Sequence, residues 1–311
     1  MNKTYFSAAL VCLLILASSG ANGQAGRDSH YWKQDDISLT LKRVDPNLED
    51  QTIWTYHFDP RYKPFFHPLY SPDGILITSE APADHPWHLG LWFCWKYING
   101  LNYWEYQGDP KLGISEGRTN LLETRIRKRR NGSARITQQL IYHPWNQMDQ
   151  PVMKETRITT VSAPNRERGY LIGMEHEFTA LADVLLDRTP VQTNAEGITW
   201  GGYAGLSIRF DGNLSSPSYF SASSDSVVSG ERASWVSARL EAPDGRQVQV
   251  TILEDSRNPR HPTPWYCINR PAQRFWFYSP AILYHEPMAL KKGDKLVLRY
   301  HVQVAGSLTA R

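Results

Sequence analysis

Cysteine is scarce in this chain, and long apolar runs are scarcer. Three cysteines occur in 311 residues. No Cys-x-x-Cys pair or zinc-type spacing is present, which removes thioredoxin-like redox chemistry and structural zinc. Charge of one sign is also lacking, with 34 basic residues against 31 acidic ones. The basic cluster Arg125-Ile126-Arg127-Lys128-Arg129-Arg130 ends at Asn131-Gly132 and reads as a solvated hairpin turn. A nucleic-acid partner calls for a broader basic face, so none is expected. No segment carries sustained helical spacing. The one apolar run, Ala8 to Ala17, is shorter than the ~20 residues a membrane helix needs, so no membrane span is expected.

That run reads instead as the core of an export signal. Lys3 supplies the positive start, and Ser18-Ser19-Gly20-Ala21-Asn22-Gly23 is small and polar. Ala21 and Gly23 suit the −3 and −1 positions of a cut before Gln24. A lipoprotein anchor is the rival reading, but Cys12 sits in mid-core after Val11. The expected organisation is a signal peptide over residues 1–23, a disordered lead-in over 24–34, and one domain over 35–308. The expected location is periplasmic or secreted. Cys94 and Cys267 survive processing, each inside an aromatic run, Trp92-Phe93-Cys94-Trp95 and Trp265-Tyr266-Cys267-Ile268. A disulfide and two buried free thiols fit equally well.

The remaining periodicity is that of strands. Ile37–Val44 and Met153–Val161 alternate apolar and polar, and Ala134–His143 is rich in β-formers. Gly173–Leu181, Gly205–Phe210, Ser234–Glu241, Gln247–Leu253, Arg274–Tyr278 and Lys295–Ala305 follow suit. Asn131-Gly132, Asp211-Gly212, Asp244-Gly245 and Lys292-Gly293-Asp294 punctuate them as turns. Hairpins are predicted for Arg125–His143 and Ala238–Leu253, and a short helix or turn for Ala180–Leu186. Many short antiparallel strands predict an all-β protein. The length favours one large two-sheet antiparallel sandwich over two immunoglobulin-sized ones.

The densest chemistry lies in Asp84-His85-Pro86-Trp87-His88-Leu89-Gly90-Leu91-Trp92-Phe93-Cys94-Trp95. Pro86 bars regular pairing, so His85 and His88 are placed in a turn with both rings open to one cavity. Imidazoles titrate near neutral pH, and Asp84 is positioned to orient one of them. Trp87, Trp92 and Trp95 offer faces for a sugar ring. The His85/His88 spacing also admits a metal site, though it lacks the helix and glutamate of the zincin pattern. In Met174-Glu175-His176-Glu177-Phe178, Glu175 and Glu177 share one strand face and His176 the other. The two glutamates supply an acid/base pair if that face lines the cleft. Glu196 and Arg209 are the polar candidates of the Gly-rich stretch 193–210. Arg209 is either a bidentate anchor for a substrate carboxylate or half of a buried ion pair. The Pro-rich loop 254–266 carries Asn258 and His261, His285 follows a strand, and His67 lies in the aromatic loop 64–70.

Several blocks occur in an order that resembles a known family. They are Phe66-His67-Pro68 with Ser71-Pro72-Asp73-Gly74, then Asp84-His85-Pro86-x-His88-x-Gly90-Leu91-Trp92 and Gly205-Leu206-x-Ile208-Arg209-Phe210. Asn258-Pro259-Arg260-His261-Pro262 and Leu290-Lys291-Lys292-Gly293-Asp294-x-Leu296-x-Leu298-Arg299-Tyr300 complete the set. Over residues 35–305 they resemble the bacterial PmoA-like (methane-oxygenase-like) family of unknown function. Its usual His-Pro-His-His-Arg-Gly run has Trp87 and Leu89 in two positions here. The methane-oxygenase label conflicts with the lack of spanning segments. The resemblance implies a supersandwich similar to galactose mutarotase, an architecture shared by sugar epimerases, lyases and glycosidase domains, which alone does not fix function.

Together these readings predict a secreted enzyme that moves protons on a sugar or oligosaccharide, of lyase, dehydratase or epimerase type, with hydrolysis as a variant. His85, His88 and Asp84 form its expected centre, with Glu175, Glu177 or Glu196 as a second acid/base. Arg209, His67, Trp87, Trp92, Trp95, Asn258, His261 and His285 are the expected substrate contacts. No cofactor and no resident metal are expected, and the partner is a small-molecule or oligosaccharide substrate. A non-catalytic glycan-binding protein and a His-ligated metal protein are the alternatives.

Overall fold

Alternation along the strands has one structural consequence that organises everything else: each strand shows one face to a partner sheet and the other outward. The computed structural model describes residues 29–44, 50–105, 115–195 and 197–305. Two eight-stranded antiparallel sheets dominate them. The first runs in the order His30–Gln34, Ser38–Arg43, Gln51–His57, Phe65–Leu69, Leu91–Cys94, Gly205–Arg209, Phe275–Pro280, Trp265–Arg270. The second runs Ser218–Phe220, Trp235–Glu241, Gln247–Glu254, Lys295–Val304, Tyr170–Ala180, Met153–Val161, Ala134–Pro144, Gly117–Lys128. Neither sheet is a contiguous stretch of chain, because the path crosses between them. The only helix among the described residues is one 3-10 turn, Pro271–Gln273.

Both expected hairpins form, turning at Asn131-Gly132 and Asp244-Gly245. Two local expectations need correction. The segment read as a short helix or turn over 180–186 forms no helix: it bends at Leu181-Ala182 and continues as a strand, Val184–Asp187, paired with Met288–Leu290. Of the lead-in expected to be disordered over 24–34, His30–Gln34 is a strand that pairs along Ser38–Arg43, with Trp32 packed edge-on to Trp54, and residues 24–28 lie outside the described residues. The signal peptide lies outside the described residues. Cys94 and Cys267 are both free thiols.

The sheets meet face to face. Phe93 of the first packs on His176 and Phe178 of the second, and the Tyr278 hydroxyl donates across the gap to the Val250 carbonyl at 3.0 Å. Second-sheet strands keep one solvated face, as in Met153–Val161, where every other residue is buried. Central strands of the first sheet are buried on both faces, as in Gly205–Arg209 and Phe275–Pro280. A cover of turns and loops therefore lies over the first sheet's outer face, and the site forms there. Among the described residues no helix is long and apolar enough to cross a membrane.

Candidate active site

The cover begins with a double turn. The His85 amide donates to the Pro82 carbonyl and the His88 amide to the His85 carbonyl, both at 2.9 Å. Glu80 and Leu89 close the base as a bridge. Gly90 then returns the chain to the sheet with a φ of +73°, and a Cβ there would lie 2.3 Å from the Phe66 carbonyl oxygen. Only glycine fits that approach. The result stacks His85 on His88, ring centres 4.7 Å apart.

Three charged or titratable groups are chained together. His85 Nδ1 lies 3.0 Å from Asp84 Oδ2. Arg209 Nη2 donates to both Asp84 oxygens at 3.1 and 2.9 Å, and the guanidinium carbon sits over Phe275, 3.9 Å from its centre. Burial pushes Asp84 up, but the His85 hydrogen bond and the Arg209 charge outweigh it, and its pKa ends below the ordinary carboxylate value. Burial also lowers the pKa of His85, against the pull of Asp84. For His88, buried among Trp92, Trp104 and Phe277, burial takes it well below the ordinary imidazole value. Both rings are therefore neutral at pH 7. With Asp84 on Nδ1, the His85 tautomer keeps its proton there and leaves Nε2 as a basic lone pair. Buried His88 Nδ1 has no hydrogen-bond partner.

These rings open into a hollow of about 70 Å³ lined by His85, Trp87, His88, Trp104, Tyr203, Tyr266, Phe275 and Phe277. Pockets that enclose a drug-sized ligand start near ~300 Å³. This one admits a single functional group, and the rest of a ligand stays at the mouth. Tyr203 packs on Trp104 and Tyr266 at 4.9 and 5.5 Å. Behind that wall Lys96 pairs with Glu105, and buried Lys63 donates to the Trp104 carbonyl at 2.6 Å.

Of the residues singled out in the sequence, Asp84, His85, His88, Trp87, Trp92 and Arg209 meet here. Trp92 is the floor beneath His88, fully buried. Arg209 is engaged by Asp84, so of its two readings the ion pair is the one observed. The remaining candidates sit elsewhere. Glu175 and Glu177 project from the outer face of the second sheet, the far side of the sandwich, and pair with Arg299 and Lys295 at 2.7 Å each. The sequence pattern put them correctly on one face, and that face is the solvated one. Trp95 is core, packed on Phe93 and Phe178. Asn258 stitches its loop to the Arg299 backbone through both amide atoms at 2.8 Å. His261 faces Glu254 at 3.0 Å. His285 is exposed, and its carbonyl accepts from Arg188. His67 contacts Thr78 at 3.0 Å and does not line the hollow. Glu196 lies outside the described residues.

Five lining residues escaped the sequence reading: Trp104, Tyr203, Tyr266, Phe275 and Phe277. Period-two alternation was the available signal for three of them, because Tyr266, Phe275 and Phe277 share the face of Trp92 and Arg209. Among the described residues no group of three or more histidine, cysteine, aspartate or glutamate side chains is placed to hold a metal ion.

A larger cavity, about 360 Å³, lies on the outer face of the second sheet beside Glu175, Asp255, Arg257, Arg299 and His301. It is an open groove of salt-bridged side chains, without the buried neutral imidazoles of the smaller hollow.

No curated protein matches the chain. Among solved structures, an alpha-galactosidase from Lactobacillus brevis aligns over 90% of this chain and 40% of its own, with 9% identity and a TM-score of 0.40. A GH36 alpha-galactosidase from Geobacillus stearothermophilus aligns over 91% and 40%, with 9% identity and a TM-score of 0.37. A putative aldose 1-epimerase from Klebsiella pneumoniae subsp. pneumoniae aligns over 90% and 88%, with 10% identity and a TM-score of 0.36. The chain thus spans about 40% of the length of the galactosidases it matches. One family profile matches residues 43–310, and its description carries no methane-oxygenase label. The chain belongs to DUF6807, a family of unknown function.

Proposed function

We propose that this protein is an enzyme performing acid/base proton transfer on a sugar or oligosaccharide, of lyase, dehydratase or epimerase type. The observation that carries the reading is the chain Arg209–Asp84–His85, which ends in a neutral imidazole at the mouth of an aromatic hollow. Arg209 holds Asp84 ionised and in place. Asp84 fixes the His85 tautomer and stabilises the imidazolium that forms when Nε2 takes a proton. His88, stacked behind it, keeps that ring from turning. Trp87, Tyr203 and Tyr266 give a ligand apolar faces on which C–H surfaces of a sugar pack.

The test is incubation of the mature protein with a panel of glycans, read by mass spectrometry and proton NMR in D2O. Loss of water, a split into saturated and unsaturated pieces, or deuterium at one carbon without mass loss identifies dehydration, elimination or epimerisation. Turnover that survives both His85→Ala and His88→Ala would sink the assignment. Binding without product, abolished by Trp87→Ala and untouched by His85→Ala, makes the protein a glycan-binding module instead. We further propose export through residues 1–23. Intact mass of protein recovered outside the cytoplasm should place Gln24 at the mature N-terminus, and a retained leader contradicts this.

A further inference from the structure

Arg209 is not placed to anchor a substrate carboxylate. Its Nη2 is taken by Asp84 and Phe275 lies against the guanidinium, while Nε and Nη1 are buried beyond the reach of a ligand at the mouth. A second arginine stands at the same wall. Along Trp265–Arg270, Tyr266, Ile268 and Arg270 share one face, and Tyr266 lines the hollow. Arg270 therefore projects to the hollow's side of the sheet, opposite Phe275 in the strand register. Its guanidinium lies 5.9 Å from the Phe275 centre, and the His85 ring lies 4.8 Å from the same centre. Arg270 is half-buried. The Thr199 carbonyl at 3.5 Å is its hydrogen-bond acceptor, and no carboxylate among the described residues lies within ion-pair distance of it. Asp84 is spent on Arg209, Glu105 on Lys96, and both imidazoles are neutral. The site thus carries a net positive charge at its mouth, next to its base.

We propose that the ligand is an acidic sugar, a uronate, whose carboxylate pairs with Arg270 while the carbon bearing it faces His85. This rests on the acid/base reading of the site and names its substrate class. The chemistry requires such a partner. Removing a proton from a carbon beside a carboxylate builds a second negative charge on that group, and a fixed cation offsets it. The C–H bond breaks, its proton goes to His85 Nε2, and its electron pair delocalises into the carboxylate as an enediolate. Protonation of that carbon on the opposite face by solvent water at the mouth, with His85 giving its proton back to the hydroxide left behind, completes an epimerisation. Alternatively the pair forms a C=C bond and expels the oxygen substituent on the next carbon, which leaves with a proton, and an unsaturated uronate results. Neither course needs a co-reactant.

The experiment is ligand-observed NMR and calorimetric titration of the mature protein with D-glucuronate, D-galacturonate and D-mannuronate, each beside its neutral parent hexose. Wild type should bind at least one uronate about tenfold or more tighter than its parent, the range expected for one charged hydrogen-bonded pair. Arg270→Gln should erase that preference, and Arg270→Lys should restore part of it, with thermal unfolding unchanged in both. Equal affinity for acidic and neutral sugars, lost in Trp87→Ala, would overturn the uronate proposal while leaving the site's sugar reading intact. Uronate binding that survives Arg270→Gln overturns it too, as does the absence of binding to all three uronates.

Discussion

Among the described residues two arginine–carboxylate–histidine chains stand on opposite faces of one sheet. On the inner face, between the sheets, Glu155 receives Arg157 at 2.7 and 3.0 Å and His176 Nδ1 at 2.7 Å, with the Tyr142 hydroxyl donating as well. On the outer face stand Arg209, Asp84 and His85. Consecutive residues tie the two together: Phe93 packs on His176 and Trp92 on His88, pointing in opposite directions as neighbours on a strand must. The inner chain is sealed, with side-chain exposures of 1, 0 and 0% for Arg157, Glu155 and His176. In the outer chain Arg209 is 4% exposed, but Asp84 and His85 are 37 and 35% exposed. The same three chemical groups make a sealed cluster in one place and a solvent-reachable one in the other.

Four measurements sharpen or break that comparison. The largest stability effect belongs to the inner chain. Glu155→Gln strands the Arg157 charge, and breaking a buried pair costs about 3–5 kcal/mol. A denaturant midpoint that barely moves would show the inner chain to be no structural element. The largest effect on turnover belongs to the outer one. His85→Gln should lower kcat about 10²–10⁴-fold, the usual share of a general base, with the unfolding midpoint preserved, while His176→Gln should act chiefly on stability. Equal turnover losses that track stability in both variants would erase the distinction.

The third measurement is a pH series. Burial lowers the pKa of His85, His88 and His176, and that of His67 to about 4. The unfolded chain therefore binds more protons than the native one below the unfolded imidazole value of about 6.5, and stability falls as pH drops from there toward the native values. Glu155 is held below the usual carboxylate value: burial opposes this, but the Arg157 charge and the His176 hydrogen bond prevail. Its contribution is complete above the unfolded glutamate value of about 4.3 and fades as pH falls below it. Equilibrium unfolding should show both limbs, and His67→Asn should flatten the one between about 4 and 6.5. Stability that rises on acidification through that window contradicts the burial of these rings. The smallest effect is on the stability of Asp84→Asn. That pair is over a third exposed on the carboxylate side and solvent-screened, so the cost should stay near about 1 kcal/mol or less. A loss as large as that of Glu155→Gln would make the outer chain a second structural core.

The alternation of Ala134–Pro144 and Met153–Val161 made those strands legible, and Asn131-Gly132 and Asp244-Gly245 made their turns legible, because hairpin geometry is a local property. The pair His85/His88 was legible for the same reason: Pro86 forces a turn, and three residues of turn stack the rings. Glu175 and Glu177 were legible as companions on a face, but not as residents of the wrong face. Trp104 and Tyr203 carry no local mark that separates a pocket wall from core.

The sequence by itself determined an all-β chain, its hairpins, and a histidine turn with an aspartate at its head, all consequences of interactions within a few residues. Only the tertiary structure decided which side of each sheet faces water. That choice gave Arg209 to Asp84 across 125 positions, left Arg270 beside the hollow, and sent Glu175 to the opposite surface. A strand's pattern fixes which residues travel together, and the packing of one sheet on another fixes where they arrive.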